Sequence, residues 1–119
     1  MTARSESLIQ SDIRRALGRE PGLVLWRNNV GVARRTGPRG TTATRYGLVT
    51  GASDLIGILT VGELGRFVAI EVKRPRGRVS AAQQLFLDLV RSHGGFAAVV
   101  RSVDDARAGI ARARMGARQ

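Results

Sequence analysis

The stretch Ile70-Glu71-Val72-Lys73 ends the second of two apolar runs, and Gly51-Ala52-Ser53-Asp54 opens the first. The chain has 20 basic residues, and Lys73 is the only lysine among them. Lysine is a compact point charge on a flexible stem, whereas arginine is a planar fork. Because arginine serves at every other basic position, the single lysine indicates a position that needs an ammonium group. The alternative is that Lys73 merely ends a strand.

The two apolar runs predict a β-hairpin that brings ionisable groups together. They flank the turn Gly62-Glu63-Leu64-Gly65. If this turn closes a symmetric hairpin, Asp54 lies opposite Lys73. Glu71 is then diagonal to Asp54 on the same face, because strand side chains alternate with period two. Both runs are apolar on both faces, so we expect layers to cover the sheet on each side.

Two carboxylates on an apolar sheet are costly unless something compensates them. Magnesium does so directly, because it prefers hard oxygen ligands and is often held by one or two carboxylates. Asp54 and Glu71 supply such oxygens, and the backbone carbonyl of Val72 is placed to add another. Lys73 can orient an attacking water or offset charge that develops on a phosphate. Glu6, on the first predicted helix, is a further candidate for the metal shell. The alternative is an ordinary cross-strand salt bridge from Asp54 to Lys73.

The composition describes one compact domain without cysteine. The chain of 119 residues is long enough for one modest core and too short for two. No apolar run approaches the roughly 20 residues of a membrane span, and Met1–Glu6 lacks the apolar segment of a signal peptide. Without cysteine there is no disulfide and no thiolate metal site. We therefore expect a single cytoplasmic domain over residues 1–119, with a frayed tail at about 115–119.

A formal net charge of +11 predicts attraction to polyanions, and nucleic acid is the polyanion we expect. A basic membrane-surface helix fits less well, because the arginines are spread along the chain. The segment from Pro21 to Ser53 has no acidic residue, and Gly37-Pro38-Arg39-Gly40 breaks it in the middle. It therefore predicts a basic hairpin or a long loop. The candidate nucleic-acid contacts are Arg34, Arg35, Arg39, Arg45 and Tyr46 here, and Arg74, Arg76 and Arg78 after the second apolar run.

Spacing and capping residues predict the order helix, strand, strand, strand, helix, strand, helix. Ser5 is a plausible N-cap for the first helix. Ser80 and Gln83 fit a capping box at the start of the second helix. Gln83 can serve both the cap and the predicted site only if its side chain reaches away from the cap. Trp26 lies in the first strand, where a tryptophan usually packs into the core and less often stacks on a base.

The pattern of Asp54 followed by Glu71-Val72-Lys73, in this order of elements, resembles the PD-(D/E)XK nuclease superfamily and, within it, the VRR-NUC family. The superfamily's proline before the aspartate is replaced here by Ser53, as is usual for this family. The matching stretches are Gly51–Gly57, Ile70–Pro75, Gly77–Ser80 with Gln83 and Phe86, Gly94-Gly95, and Val99–Ser102. The resemblance therefore spans nearly the whole chain, from Glu6 to about Asp105.

The resemblance implies an α/β fold with a restriction-endonuclease-like core, in the order αβββαβ(α), with a mixed sheet flanked by helices. It also implies a Mg²⁺-dependent phosphodiesterase acting on DNA, with Mn²⁺ able to substitute. Asp54 and Glu71 then correspond to metal ligands and Lys73 to the catalytic lysine. Glu6 and Gln83 correspond to outer catalytic positions. A chain of this length resembles the stand-alone, phage-type members, which act as homodimers on branched DNA such as four-way junctions in a bacterial or phage-infected cell.

Two other functions remain open from the sequence. One is a restriction- or repair-type nuclease of the same fold, which reads a sequence or cuts flaps. The other is a non-catalytic module that binds nucleic acid through the same basic surface. The second predicts salt-sensitive binding without magnesium dependence.

Overall fold

A computed structural model of the chain describes residues 4–119, so residues 1–3 of the predicted domain lie outside the described part. The predicted element order is confirmed, and the acid-free segment adds a hairpin to it. The elements are α1 (Glu6–Leu17), β1 (Leu23–Arg27), β2 (Gly31–Gly37), β3 (Gly40–Tyr46), β4 (Leu55–Val61), β5 (Leu64–Val72), α2 (Ala81–Ser92), β6 (Phe96–Val100) and α3 (Val103–Arg114).

The central sheet is mixed, with strand order β1-β4-β5-β6. Strands β1, β4 and β5 are antiparallel neighbours, and β6 runs parallel to β5. Helices flank this sheet, which confirms the restriction-endonuclease-like α/β class. Among residues 4–119 no helix has the length and apolar content that crossing a membrane requires.

The register of the β4–β5 hairpin corrects the predicted one. Val61 pairs with Leu64 and Leu55 with Ile70, so the turn is tighter than a symmetric four-residue turn. Gly62 has φ +62°, and glycine at the first central position suits a two-residue hairpin turn. Continuing this register, Asp54 falls opposite Glu71 and not opposite Lys73. A slip of two residues keeps every side chain on its face, so the predicted cluster survives the correction.

The two faces of the sheet are covered unequally. Helices α1 and α3 close one face over the larger core, which includes Ile13, Leu55 and Ile110. Helix α2 packs over β5 and β6 on the other face. The β1–β4 half of that second face stays open, and its side chains Val24, Trp26 and Ile58 are 52%, 50% and 45% exposed, next to Phe67 of β5 at 40%. The expectation that both faces are covered is therefore wrong for this half, and so is the expectation that Trp26 belongs to the core.

The acid-free segment forms the hairpin β2–β3, a two-stranded sheet of its own. Its register runs from Gly31 opposite Tyr46 to Gly37 opposite Gly40, so the turn lies at Pro38-Arg39. All of its residues but Gly31 are exposed. Alternation along the strands places Arg34 and Arg45 on one face and Arg35 on the other, with Arg39 at the turn. The hairpin is thus basic on both faces and at its tip.

The C-terminal residues have defined contacts where the sequence predicts fraying. The amide N–H of Ala97 in β6 donates to the carbonyl of Arg118 at 3.0 Å. The Arg118 side chain donates in turn to the carbonyl of Arg91 on α2 at 3.2 Å. These bonds hold the tail along the outer edge of β6.

Candidate active site

Three ionisable side chains meet where β4 begins and β5 ends. Glu71 is the penultimate residue of β5, Lys73 follows the strand, and Asp54 precedes β4. Glu71 is 1% exposed and Lys73 8% exposed. The Asp54 Oδ2 accepts a hydrogen bond from the Val72 N–H at 2.9 Å. The Lys73 Nζ lies 3.7 Å from the Glu71 Oε1. The ion pair of this site is therefore Lys73 with Glu71, and not the cross-strand pair of Asp54 with Lys73.

The loop before β4 is held from two sides. Gly51 has φ +89°, and a Cβ there would lie 2.5 Å from the carbonyl group of Ala82 at the start of α2. Glycine therefore lets the loop pass against the helix. From the other side, the Asn28 N–H donates to the Asp54 carbonyl at 2.8 Å, and the Asn28 side-chain Nδ2 donates to the Ser53 carbonyl at 3.1 Å. Asn28 is a positioning residue that the sequence reasoning missed; its only signal is an asparagine directly after a strand.

Gln83 serves the helix cap and the site at once. Its Oε1 accepts from the Ser80 N–H at 2.9 Å, which completes the predicted capping box. Its Nε2 donates to the Glu71 Oε1 at 3.0 Å. A backbone N–H can only donate, so the capping bond fixes which end of the amide faces Glu71. The expectation that Gln83 must leave the cap to reach the site is wrong, because opposite ends of one amide do both.

The environment of Glu71 favours its protonated form. Burial raises the pKa of the Glu71 carboxyl from 4.5 to about 8, and the nearby charge of Asp54 adds to this. The Lys73 ammonium opposes the shift only in part, while the charge of Glu6 reinforces it. When Glu71 is ionised, its buried Oε2 has no hydrogen-bond partner within residues 4–119; a hydrogen bond with the Asp54 side chain favours the protonated form. The buried hydroxyl of Ser53 is likewise without a partner there. An unpartnered buried carboxylate oxygen beside a second carboxylate is the arrangement that a cation relieves.

The donor set fits a hard divalent cation. Glu71 Oε2 and the Asp54 carboxylate are oxygen ligands of the kind that magnesium prefers. The N–H and C=O of one strand residue point to the same side, so the Val72 carbonyl faces the side on which its N–H meets Asp54. Glu6 is exposed on the first turn of α1. No three His, Asp or Glu side chains of residues 4–119 are grouped as a metal cluster. Two carboxylates and one carbonyl are thus the protein ligands that the site offers.

Arg101 holds the backbone of the loop that follows Lys73, and the arginine side chains of this loop are exposed. The Arg101 Nη1 donates to the carbonyls of Arg74 at 2.6 Å, Pro75 at 3.3 Å and Gly77 at 2.8 Å. The predicted contacts Arg74, Arg76 and Arg78 are all exposed on this loop. Arg101 is a second positioning residue that the sequence reasoning missed. Its signal lies in the stretch Val99–Ser102, which belongs to the resemblance but carries no ionisable motif of its own.

The other predicted DNA contacts lie on the hairpin. Within the described part of the chain no hydrogen bond or ion pair joins the hairpin to Asp54, Glu71 or Lys73. Arg45 donates through Nη1 to the Thr50 hydroxyl at 2.9 Å. Tyr46 is 49% exposed, and its ring lies over Gly31, where a Cβ would stand 2.5 Å from the phenol oxygen. These predicted contacts therefore belong to a basic arm that shares no hydrogen bond or ion pair with the acidic site within residues 4–119.

A mixed sheet that carries an aspartate, a glutamate and a lysine at the ends of adjacent strands defines the PD-(D/E)XK class of nucleases. Within that class, the model of the VRR-NUC domain matches residues 4–104, and the chain belongs to the VRR-NUC family. No curated protein matches the chain. The family makes the protein a nuclease, a hydrolase with DNA as its substrate.

Proposed function

We propose that the protein is a metal-dependent, structure-selective endodeoxyribonuclease that hydrolyses phosphodiester bonds in branched DNA, with the four-way junction as its preferred substrate. The observation that carries the proposal is the buried Glu71 carboxylate, which has one oxygen without a hydrogen-bond partner among residues 4–119 and lies beside Asp54 and Lys73. Such a group destabilises the fold unless a ligand uses it. A buried carboxylate of this kind therefore indicates a functional site.

Mg²⁺ is the proposed cofactor, and Mn²⁺ should substitute. Asp54, Glu71 Oε2 and the Val72 carbonyl would hold the ion, and Glu6, on the first turn of α1, would bind it through water. When bound, the ion supplies a Lewis acid that activates water and neutralises phosphate charge.

The remaining chemistry belongs to side chains of the chain itself. In the proposed reaction, water attacks phosphorus in line, and the bond to the 3′ oxygen breaks to leave 5′-phosphate and 3′-hydroxyl ends. Lys73 forms an ion pair with Glu71, and its ammonium would offset charge on the phosphate and orient the water. Gln83 engages the Glu71 Oε1 and so leaves Oε2 free. Gln83 thereby fixes the direction in which the carboxylate presents its second oxygen.

The DNA surface consists of the β2–β3 hairpin and the loop of residues 74–78. Both are exposed and basic, and they project Arg34, Arg35, Arg39 and Arg45 from one element and Arg74, Arg76 and Arg78 from the other. Two basic elements that project separately suit the diverging arms of a branch. We also propose a homodimer, because a two-fold assembly presents two such sites to a symmetric junction.

A cleavage panel tests the substrate preference. Four-way junction, flap, bubble and linear duplex of equal length are incubated with Mg²⁺ and compared by initial rate. The proposal predicts that the junction is cut fastest and that Lys73→Ala loses cleavage of every substrate. Fastest cleavage of the flap, or of one duplex sequence, would assign the protein to a repair or restriction type. Tight binding to all four DNA substrates, without cleavage in the presence of any divalent cation, would identify a non-catalytic binding module.

A further inference from the structure

The open half of the sheet places Trp26 beside the site. Trp26 pairs with Ile56 across β1 and β4, and Ile56 pairs with Ala69 across β4 and β5. Ala69 packs with Leu87 under α2, so this row of side chains faces the α2 side. Glu71, two residues beyond Ala69, meets Gln83 of the same helix. Trp26 therefore lies on the face that carries the carboxylate pair.

Trp26 is also close to that pair along the strand. Asn28, two residues after Trp26, donates its backbone N–H to the Asp54 carbonyl. Two residues of strand span about 7 Å. Asn28 also holds the Ser53 carbonyl through its side chain, so the end of β1 is fixed to the loop that carries Asp54. A half-exposed indole is thus held one row of side chains along the sheet from the carboxylate pair, one strand across from Asp54 and two strands across from Glu71.

The surroundings of Trp26 favour a polyanion over a protein partner. The basic hairpin begins only a few residues after Trp26. The whole segment from Pro21 to Ser53 has no acidic residue. A second copy docked on this surface would bring two such segments together, which like-charge repulsion disfavours. A nucleobase attached to a phosphate backbone matches both the apolar face and the basic, acid-free segment that carries it.

We propose that Trp26 stacks on the exposed face of a nucleobase next to the scissile phosphate, where the stacking of the DNA is interrupted. The proposal rests on the nuclease function proposed above and assigns one selectivity-determining contact to it. A base inside an intact duplex is stacked on its neighbours, whereas a base at a branch or a single-stranded end offers a free face. Trp26 therefore favours DNA in which base stacking is interrupted at the cleavage site, as at a branch point or a gap.

Trp26 is the single tryptophan of the chain, so its fluorescence reports on this contact alone. Asp54→Asn protein in EDTA is titrated with a fully paired duplex and with the same duplex carrying a short unpaired gap. Anisotropy of a dye on the DNA verifies saturation in both titrations. We expect strong quenching of the indole at saturation with the gapped DNA and much weaker quenching with the paired duplex. Equal or absent quenching at saturation overturns the proposal, as does a fluorescence change that follows protein concentration without DNA, which would indicate a second copy.

Kinetics provide an independent readout with matched variants. Trp26→Leu should raise KM for gapped DNA about tenfold, as expected for the loss of one base–aromatic stack. Trp26→Phe should restore most of this loss, because phenylalanine keeps an aromatic face. Val24→Ala is the control, because Val24 is 52% exposed on the same strand face but lies farther from Asp54. An unchanged KM for Trp26→Leu overturns the proposal. Quenching by gapped DNA in a wild-type protein that never cleaves would refute the nuclease function and leave the stacking contact standing.

Discussion

Replacing Glu71 by glutamine should stabilise the cation-free protein at alkaline pH. Glutamine keeps the shape of the side chain and can accept the bond from the Gln83 Nε2, which reaches the Glu71 Oε1 at 3.0 Å. It removes the charge that burial and Asp54 disfavour. This outcome is unusual for a buried position, because most substitutions at such positions destabilise.

The magnitude follows from the pKa of Glu71, which the fold raises from 4.5 to about 8. Between these values the native state holds a proton that the unfolded state has released, so the free energy of unfolding falls as pH rises. At about 1.4 kcal/mol per pKa unit, the wild type should lose roughly 4 kcal/mol between pH 5 and pH 9 through this group. The loss begins near the unfolded pKa and is complete above the folded one. The Glu71→Gln variant has no such titrating group. Its free energy of unfolding should therefore match that of wild type at pH 5 and exceed it by a few kcal/mol at pH 9.

Urea unfolding in EDTA at pH 5, 7 and 9 measures this difference for wild type and Glu71→Gln. Taking the difference between the two proteins cancels groups that titrate alike in both. Glu63→Gln is the matched control, because Glu63 is an exposed glutamate in the β4–β5 turn. Its effect should be small at every pH. A Glu71→Gln protein that is less stable than wild type at pH 9, or whose effect is the same at all three pH values, would refute the reasoning.

Two further predictions concern the elements around the site. Gln83→Ala should lower the free energy of unfolding by about 1 kcal/mol, because the capping box is lost. It should also weaken Mn²⁺ binding measured by calorimetry, because Glu71 loses the bond that orients it. Gln84→Ala is the control: Gln84 lies on the exposed side of the same helix, so its replacement should leave Mn²⁺ affinity unchanged. The double variant Arg34→Gln, Arg35→Gln should reduce the slope of log Kd against log salt concentration by about 2 for any DNA shape. The reason is that each phosphate contact releases close to one counterion. An unchanged slope would show that the hairpin does not contact DNA.

The sequence predicts the β4–β5 hairpin and its chemistry better than its register. Alternation with period two says which face a side chain occupies, but a shift of two residues satisfies the same pattern. The turn length decides between them, and Gly62-Glu63-Leu64-Gly65 allows either. Because the slip preserves the face, Asp54 and Glu71 meet in both registers. The predicted register is wrong about the ion pair, however: Lys73 pairs with Glu71 and not with Asp54.

The features that the sequence does not predict depend on contacts between distant elements. The sequence predicts that Trp26 is a core residue, because tryptophans in strands are usually buried. In the structure, however, α2 covers only β5 and β6 and leaves β1 open. Gln83 reads as a local cap, and its second role appears only when α2 docks beside Glu71. Arg101 bonds to carbonyls of a loop more than 20 residues earlier in the chain. No local pattern carries that information.

Cleavage of a four-way junction with Mg²⁺ by wild type, Asp54→Asn and Glu63→Gln tests the central claim most directly. Asp54 and Glu63 are both acidic residues of the same hairpin, but only Asp54 contacts the Val72 N–H beside Glu71. The proposed site predicts that wild type and Glu63→Gln cleave at similar rates. Asp54→Asn should bind the junction and lose cleavage by at least two orders of magnitude, as expected when a metal that supplies several kcal/mol of stabilisation is lost. Cleavage by Asp54→Asn at the wild-type rate, or a wild-type rate that EDTA does not lower, would contradict the claim that the carboxylate pair holds the catalytic cation.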